Sequence, residues 1–74
     1  MNSTEFVNLK LNELKRHFPT ARFRHEYDGL MKFHTIYVRP GRLYYNPEFS
    51  KFERELTNSF IKQYRNEGIL FVSD

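Results

Sequence analysis

The sequence predicts a small α+β domain. We expect a two-layer sandwich in the order α-β-β-β-α-β, with a three-stranded antiparallel meander, a C-terminal strand and both helices on one face. Three observations carry this. Phe49, Phe52, Leu56, Phe60 and Tyr64 recur at helical spacing, so their side chains fall on one face of an α-helix. Asp28-Gly29 and Pro40-Gly41 punctuate the stretch before it as turns between β-prone segments. Ile69 to Val72 is a short apolar run of the kind that forms a covered strand.

The chain of 74 residues is expected to form one domain over residues 1–74, of a size that buries only a modest fraction of its surface. It contains no cysteine, which excludes a disulfide or a thiolate metal site as a staple. With 18% aromatic residues, rings are expected to fill the core. No apolar run is long enough for a membrane span, and the N-terminus lacks the basic and apolar pattern of a signal peptide. The expectation is a soluble, cytoplasmic protein without membrane contact.

The first helix is read over Ser3 to Phe18. Val7, Leu11, Leu14 and Phe18 form its stripe, with Phe6 and Leu9 at the margins. Asn2 or Ser3 can cap its free amides, and Lys15, Arg16 and His17 suit its carbonyl end. Pro19 ends it.

Ala21 to Tyr27 alternates as a strand, and Asp28-Gly29 reads as a two-residue hairpin turn leading into a second strand, Leu30 to Arg39. Pro40-Gly41 reads as a type II turn into a short third strand, Arg42 to Tyr45. Two-residue loops would place Tyr27 opposite Leu30, Phe23 opposite His34, Val38 opposite Leu43 and Ile36 opposite Tyr45. The inner face then carries Ala21, Phe23, Tyr27, Leu30, Ile36, Val38, Leu43 and Tyr45, with His25, Lys32 and His34 towards its edge. The outer face carries Arg22, Arg24, Glu26, Met31, Phe33, Thr35, Tyr37, Arg39, Arg42 and Tyr44.

Asn46-Pro47 starts the second helix, which is expected to run to about Asn66, with Ile61 widening its apolar stripe. The two or three residues at each terminus are expected to be disordered.

The net charge of +3 is concentrated between Ala21 and Tyr45, where basic residues outnumber acidic ones, while the rest of the chain is balanced. The outer face therefore interleaves Arg22, Arg24, Arg39 and Arg42 with Phe33, Tyr37 and Tyr44, and these seven form the candidate binding surface. Rings grouped on one face of so small a domain suggest a use. The leading expectation is a non-enzymatic module that binds a protein partner or a second copy of itself. The alternative is a nucleic-acid-binding module, with guanidinium groups for phosphates and rings for bases.

His25 and His34 are expected as diagonal neighbours, partly exposed, without the further ligands that a metal needs. No serine, histidine and carboxylate are spaced as a catalytic set, and the glycines are used by turns and a helix end, so no enzyme, cofactor or small-molecule substrate is expected.

Overall fold

A computed structural model describes residues 1–73. The order of elements is helix α1 (Ser3–His17), strands β1 (Arg22–Asp28) and β2 (Phe33–Arg39), a 3-10 helix (Gly41–Tyr45), helix α2 (Pro47–Gln63) and strand β3 (Gly68–Ser73). The fold is α+β, with two α-helices and a three-stranded mixed sheet in the order β1-β2-β3. β1 is antiparallel to β2, and β3 is parallel to it.

Both helices start where their capping chemistry directs. Asn2 accepts from the Glu5 amide while Glu5 accepts from the Asn2 amide, closing a capping box on α1. Asn46 accepts from the Glu48 and Phe49 amides, and Pro47 occupies the first turn of α2. The expected disorder at the N-terminus is corrected, since Asn2 is this cap and the Met1 carbonyl accepts from the Tyr64 hydroxyl at 3.1 Å. The last residue, Asp74, lies outside the described residues.

The core joins Phe6, Val7, Leu11 and Leu14 of α1, Ile36 and Val38 of β2, Phe49, Leu56 and Phe60 of α2, and Phe71 of β3. Phe49 is its hub: rings from Phe18, Tyr44, Phe71 and Phe23 surround it with centroids 5.5 to 6.3 Å away. Leu9 and Ile61 are exposed, so neither extends the core.

Two turns differ from expectation. The Asp28 carboxylate accepts from the Leu30 and Met31 amides at 3.0 and 3.1 Å, and Lys32 takes the left-handed backbone position at φ 53°. This side-chain-built turn lengthens the loop, so Tyr27 faces His34 and Phe23 faces Val38. The slip is an even number of residues and leaves the faces of β1 and β2 as expected, while Leu30, Met31 and Lys32 pass from strand to loop.

The third strand of the meander does not form. The Arg39-Pro40 peptide is cis, and Leu43 and Asn46 donate back to Pro40 and Leu43 carbonyls, which coils Gly41–Tyr45 into its 3-10 helix. The place beside β2 goes to the more β-prone Gly68–Ser73, which sets Ile36 against Phe71 and Val38 against Ser73 in place of Tyr45 and Leu43. Tyr45, assigned to the inner face, is exposed.

Two glycines let β3 lie where it does. A Cβ on Gly68 would stand 2.5 Å from the Phe33 ring, and one on Gly41 would overlap the Ser73 hydroxyl. Both ends of β3 are thus seated against neighbours. Among the described residues no helix is long and apolar enough to cross a membrane.

Candidate functional site: an open face, an apolar edge and a histidine pair

Because the helices share one face of the sheet, the other lies open. Alternation along β1 and β2 puts Arg22, Arg24, Glu26, Phe33, Thr35, Tyr37 and Arg39 on it, and β3 adds Leu70 and Val72. Five of the seven expected surface residues are therefore brought together. Arg42 and Tyr44 are not: they sit on the 3-10 helix, Arg42 exposed and Tyr44 half-buried against Phe49.

The basic end of this face is ordered by side-chain contacts. The Arg24 guanidinium stacks on the Tyr37 ring at 3.9 Å and pairs with Glu26, which also accepts from the Tyr37 hydroxyl at 3.1 Å. Arg22 and Arg39 stand directly opposite each other across β1 and β2. An open groove of about 650 Å³ runs over Arg22, Arg24, Tyr37 and Arg39 and continues to Phe23 and His25.

The two sheet edges differ in chemistry. β1 carries Arg22, Arg24, Glu26 and Asp28, charges that oppose strand addition, whereas β3 carries none. Leu70 is 51% exposed. The Gly68 amide donates to the Lys32 carbonyl at 2.9 Å, so Gly68, Leu70 and Val72 turn their backbone groups towards β2. By the alternation of a strand, Ile69, Phe71 and Ser73 present theirs to the free edge.

The inner face holds a polar network centred on His34. His34 is wholly buried, which corrects its expected partial exposure, while His25 is half-buried as expected. Its Nδ1 lies 2.8 Å from His25 Nε2, and its Nε2 lies 2.9 Å from Ser3 Oγ. Ser3 donates to Glu67 Oε1 at 2.7 Å, and His25 Nδ1 lies 3.2 Å from Asn8 Oδ1. Tyr27 covers His34 with centroids 4.4 Å apart, and the Phe60 ring meets it edge-on at 5.3 Å. The histidines are diagonal neighbours as expected, but through a different register: His34 stands opposite Tyr27 and not Phe23, so His25 lies on its other side. Ser3 and Glu67 carry no local signal, because only the closed fold brings them together.

Burial, the larger cause, and the neighbouring His34 hold His25 below the ordinary imidazole value. Burial likewise lowers His34, against the opposing pull of Glu67. The Ser3 hydroxyl, followed by His34, holds the Glu67 carboxyl below its usual range. Burial and then Glu67 push the Tyr27 phenol up. Across the core, burial and then Glu53 raise Tyr44 to about 12, and the Tyr44 hydroxyl has no hydrogen-bond partner among the described residues. Among the described residues no group of three or more His, Cys, Asp or Glu is arranged to hold a metal ion.

Comparison of the chain with protein-family models, curated proteins and solved structures gives no match.

Proposed function

We propose that the chain is a non-enzymatic interaction module that pairs with a second copy of itself along the edge of β3. The carrying observation is the contrast between the edges: β3 is uncharged and apolar, whereas β1 is charged throughout its outer side. A strand with that composition is a template for strand addition.

The edge is self-complementary. An antiparallel pair about a two-fold axis at Phe71 sets Ile69 opposite Ser73 of the second copy and Phe71 opposite itself, so every edge-facing residue meets another. On the open face, Leu70 of each copy then lies opposite Val72 of the other, giving the junction an apolar centre. Joining β3 of one copy to β1 of another would set Leu70 beside charged side chains and would propagate without closing. An enzymatic reading has less support. Ser3 is 6% exposed and gives its hydrogen to Glu67, so its oxygen is neither reachable nor activated by His34.

The test is solution mass by light scattering over a hundredfold concentration range. A dimer that dissociates on dilution, and a monomer for Leu70→Lys at every concentration, are expected. A wild-type monomer at the highest concentration overturns the reading.

One observation favours a second reading, binding of single-stranded nucleic acid. Arg22 stands exposed on the open face beside the stacked Arg24–Tyr37 pair, so guanidinium groups for phosphates and a ring for a base lie side by side. Binding of mixed-sequence RNA that weakens with salt and with Arg22→Ala supports this reading; salt-insensitive or absent binding removes it.

A further inference from the structure

The contacts from Asn8 through His25, His34 and Ser3 to Glu67 form four hydrogen-bond links in series, of 3.2, 2.8, 2.9 and 2.7 Å. Each link needs one hydrogen between its two heavy atoms. Both ends of the series are acceptors, the Asn8 amide oxygen and the Glu67 carboxylate. Neutral His25, neutral His34 and Ser3 supply one hydrogen each, which leaves one link of the four without any.

Two arrangements remove the deficit. In the first, the Asn8 side-chain amide turns over and donates its N–H to His25 Nδ1. Both imidazoles are then neutral with the hydrogen on Nε2, and every hydrogen in the series points towards Glu67. In the second, the Asn8 oxygen faces His25, as in the structure, and the imidazole pair holds one extra proton. Its charge is balanced by Glu67, whose Oε1 lies 3.4 Å from His34 Nε2. That proton can reside on either ring, because moving the shared hydrogen across the 2.8 Å link exchanges the two forms.

We propose that His25 and His34 together form a proton-binding site that accepts one proton and refuses a second, with its occupancy coupled to reversal of the Asn8 amide. A second proton would put hydrogen on both nitrogens of the 2.8 Å link and two cations side by side. The groups facing the pair are few. α1 presents Ser3 and Asn8, β1 presents the Tyr27 phenol, and the turn before β3 presents Glu67. α2 presents the uncharged Phe60 ring. Among the described residues Glu67 is therefore the one carboxylate placed to balance the stored charge, and it balances one proton. Forcing in a second breaks the His25–His34 link, through which β1 is tied to Ser3 of α1 and to Glu67. The site is a switch in the joint between α1 and the sheet, set by pH.

The experiment is a histidine nitrogen–proton NMR titration of the full chain from pH 8 to pH 4.5, with the Asn8 side-chain amide followed in parallel. Expected are two neutral rings with hydrogen on Nε2 at the alkaline end, uptake of one proton shared by the pair, and a displacement of the Asn8 amide signals with the same midpoint. Below that step, proton uptake in the unfolded chain exceeds uptake in the folded one by one, so the folding constant falls about tenfold per pH unit. Asn8→Asp, which fixes an acceptor against His25, is expected to hold the shared proton to higher pH, and Asn8→Ala to abolish the coupled amide signal while leaving the domain folded. Independent titration of the two rings, a stationary Asn8 amide, or uptake of two protons by the folded chain overturns the proposal.

Discussion

Ser3 Oγ donates to Glu67 Oε1 at 2.7 Å, across 64 positions of sequence, and at the same time lies 2.9 Å from His34 Nε2. One hydroxyl thus ties the start of α1 to the central strand and to the turn that leads into β3. Ser3→Ala removes both links from a buried site. The cost is expected to be about 1 kcal/mol, at the low end for a buried polar group that loses its partner, because Glu67 Oε1 already stands 3.4 Å from His34 Nε2 and can close on it. Urea unfolding at pH 8 measures it; a loss nearer 3 kcal/mol would mean that Glu67 cannot take over.

The sign of the pH dependence follows from the same groups. His25 and His34 are depressed from 6.5 in the folded chain, so below that pH the unfolded chain binds more protons. Their contribution is complete above pH 6.5 and is lost as pH falls through the folded values. Glu67, depressed from 4.5, adds a further loss as pH falls below 4.5. Unfolding midpoints between pH 8 and pH 3.5 are expected to decline in two stages. The double variant His25→Gln, His34→Gln should lose the first stage and retain the second; retention of both would place the first stage elsewhere.

At Gly68 the backbone has room for a ring and not for a methyl group. Gly68→Ala brings a Cβ to 2.5 Å from the Phe33 ring at the start of β3, and a shift of that ring is expected to cost about 1 to 2 kcal/mol. Adding Phe33→Leu removes the obstruction, so the double variant should be less destabilised than the sum of its parts. Chemical denaturation of the four species tests this, and strict additivity would count against the contact.

How much of this was legible in the sequence differs by element. Both helices were, because a capping asparagine and a stripe of rings are local signals: Asn46, Phe49, Leu56 and Phe60 mark α2 without reference to anything else. The faces of β1 and β2 were as well, since alternation survives an even slip in register. The third strand was not. Choosing between Arg42–Tyr45 and Gly68–Ser73 for the place beside Ile36 is a competition between distant segments, decided by β-propensity and by the glycines that admit Phe33 and Ser73. The Ser3–His34–Glu67 contacts were illegible for a similar reason, as was the inward turn of Tyr44.

Tyr44 has a buried hydroxyl with no hydrogen-bond partner among the described residues, held to about 12 by burial and by Glu53. Tyr44→Phe deletes a group that folding desolvates without compensation, and is expected to be neutral or to stabilise by about 1 kcal/mol. Since this phenol's folded value lies above 10, its contribution is complete below pH 10 and is lost as pH rises through about 12. A spectrophotometric phenolate titration of the folded chain should show a late-ionising tyrosine that is missing from the variant, while the raised Tyr27 phenol remains in both. Ionisation of every tyrosine below pH 11 would place Tyr44 in water.

The pairing proposed for β3 makes a prediction about register that the absence of cysteine makes clean to read. With the two-fold axis at Phe71, Leu70 of one copy lies opposite Val72 of the other at a position whose backbone groups turn away from the junction. Such non-hydrogen-bonded pairs bring Cα atoms to about 4.5 Å, within disulfide range. Leu70→Cys mixed with Val72→Cys should therefore oxidise to a crosslinked mixed dimer. Either variant alone should crosslink poorly, because its two introduced thiols would then meet only on the diagonal, about 7 to 8 Å apart. If Leu70→Cys alone crosslinks faster than the mixture, the axis lies at Leu70 and the pairing has slipped. If no combination crosslinks under conditions where light scattering shows a dimer, the copies meet elsewhere, and the open face around Phe33 and Tyr37 becomes the surface to alter next.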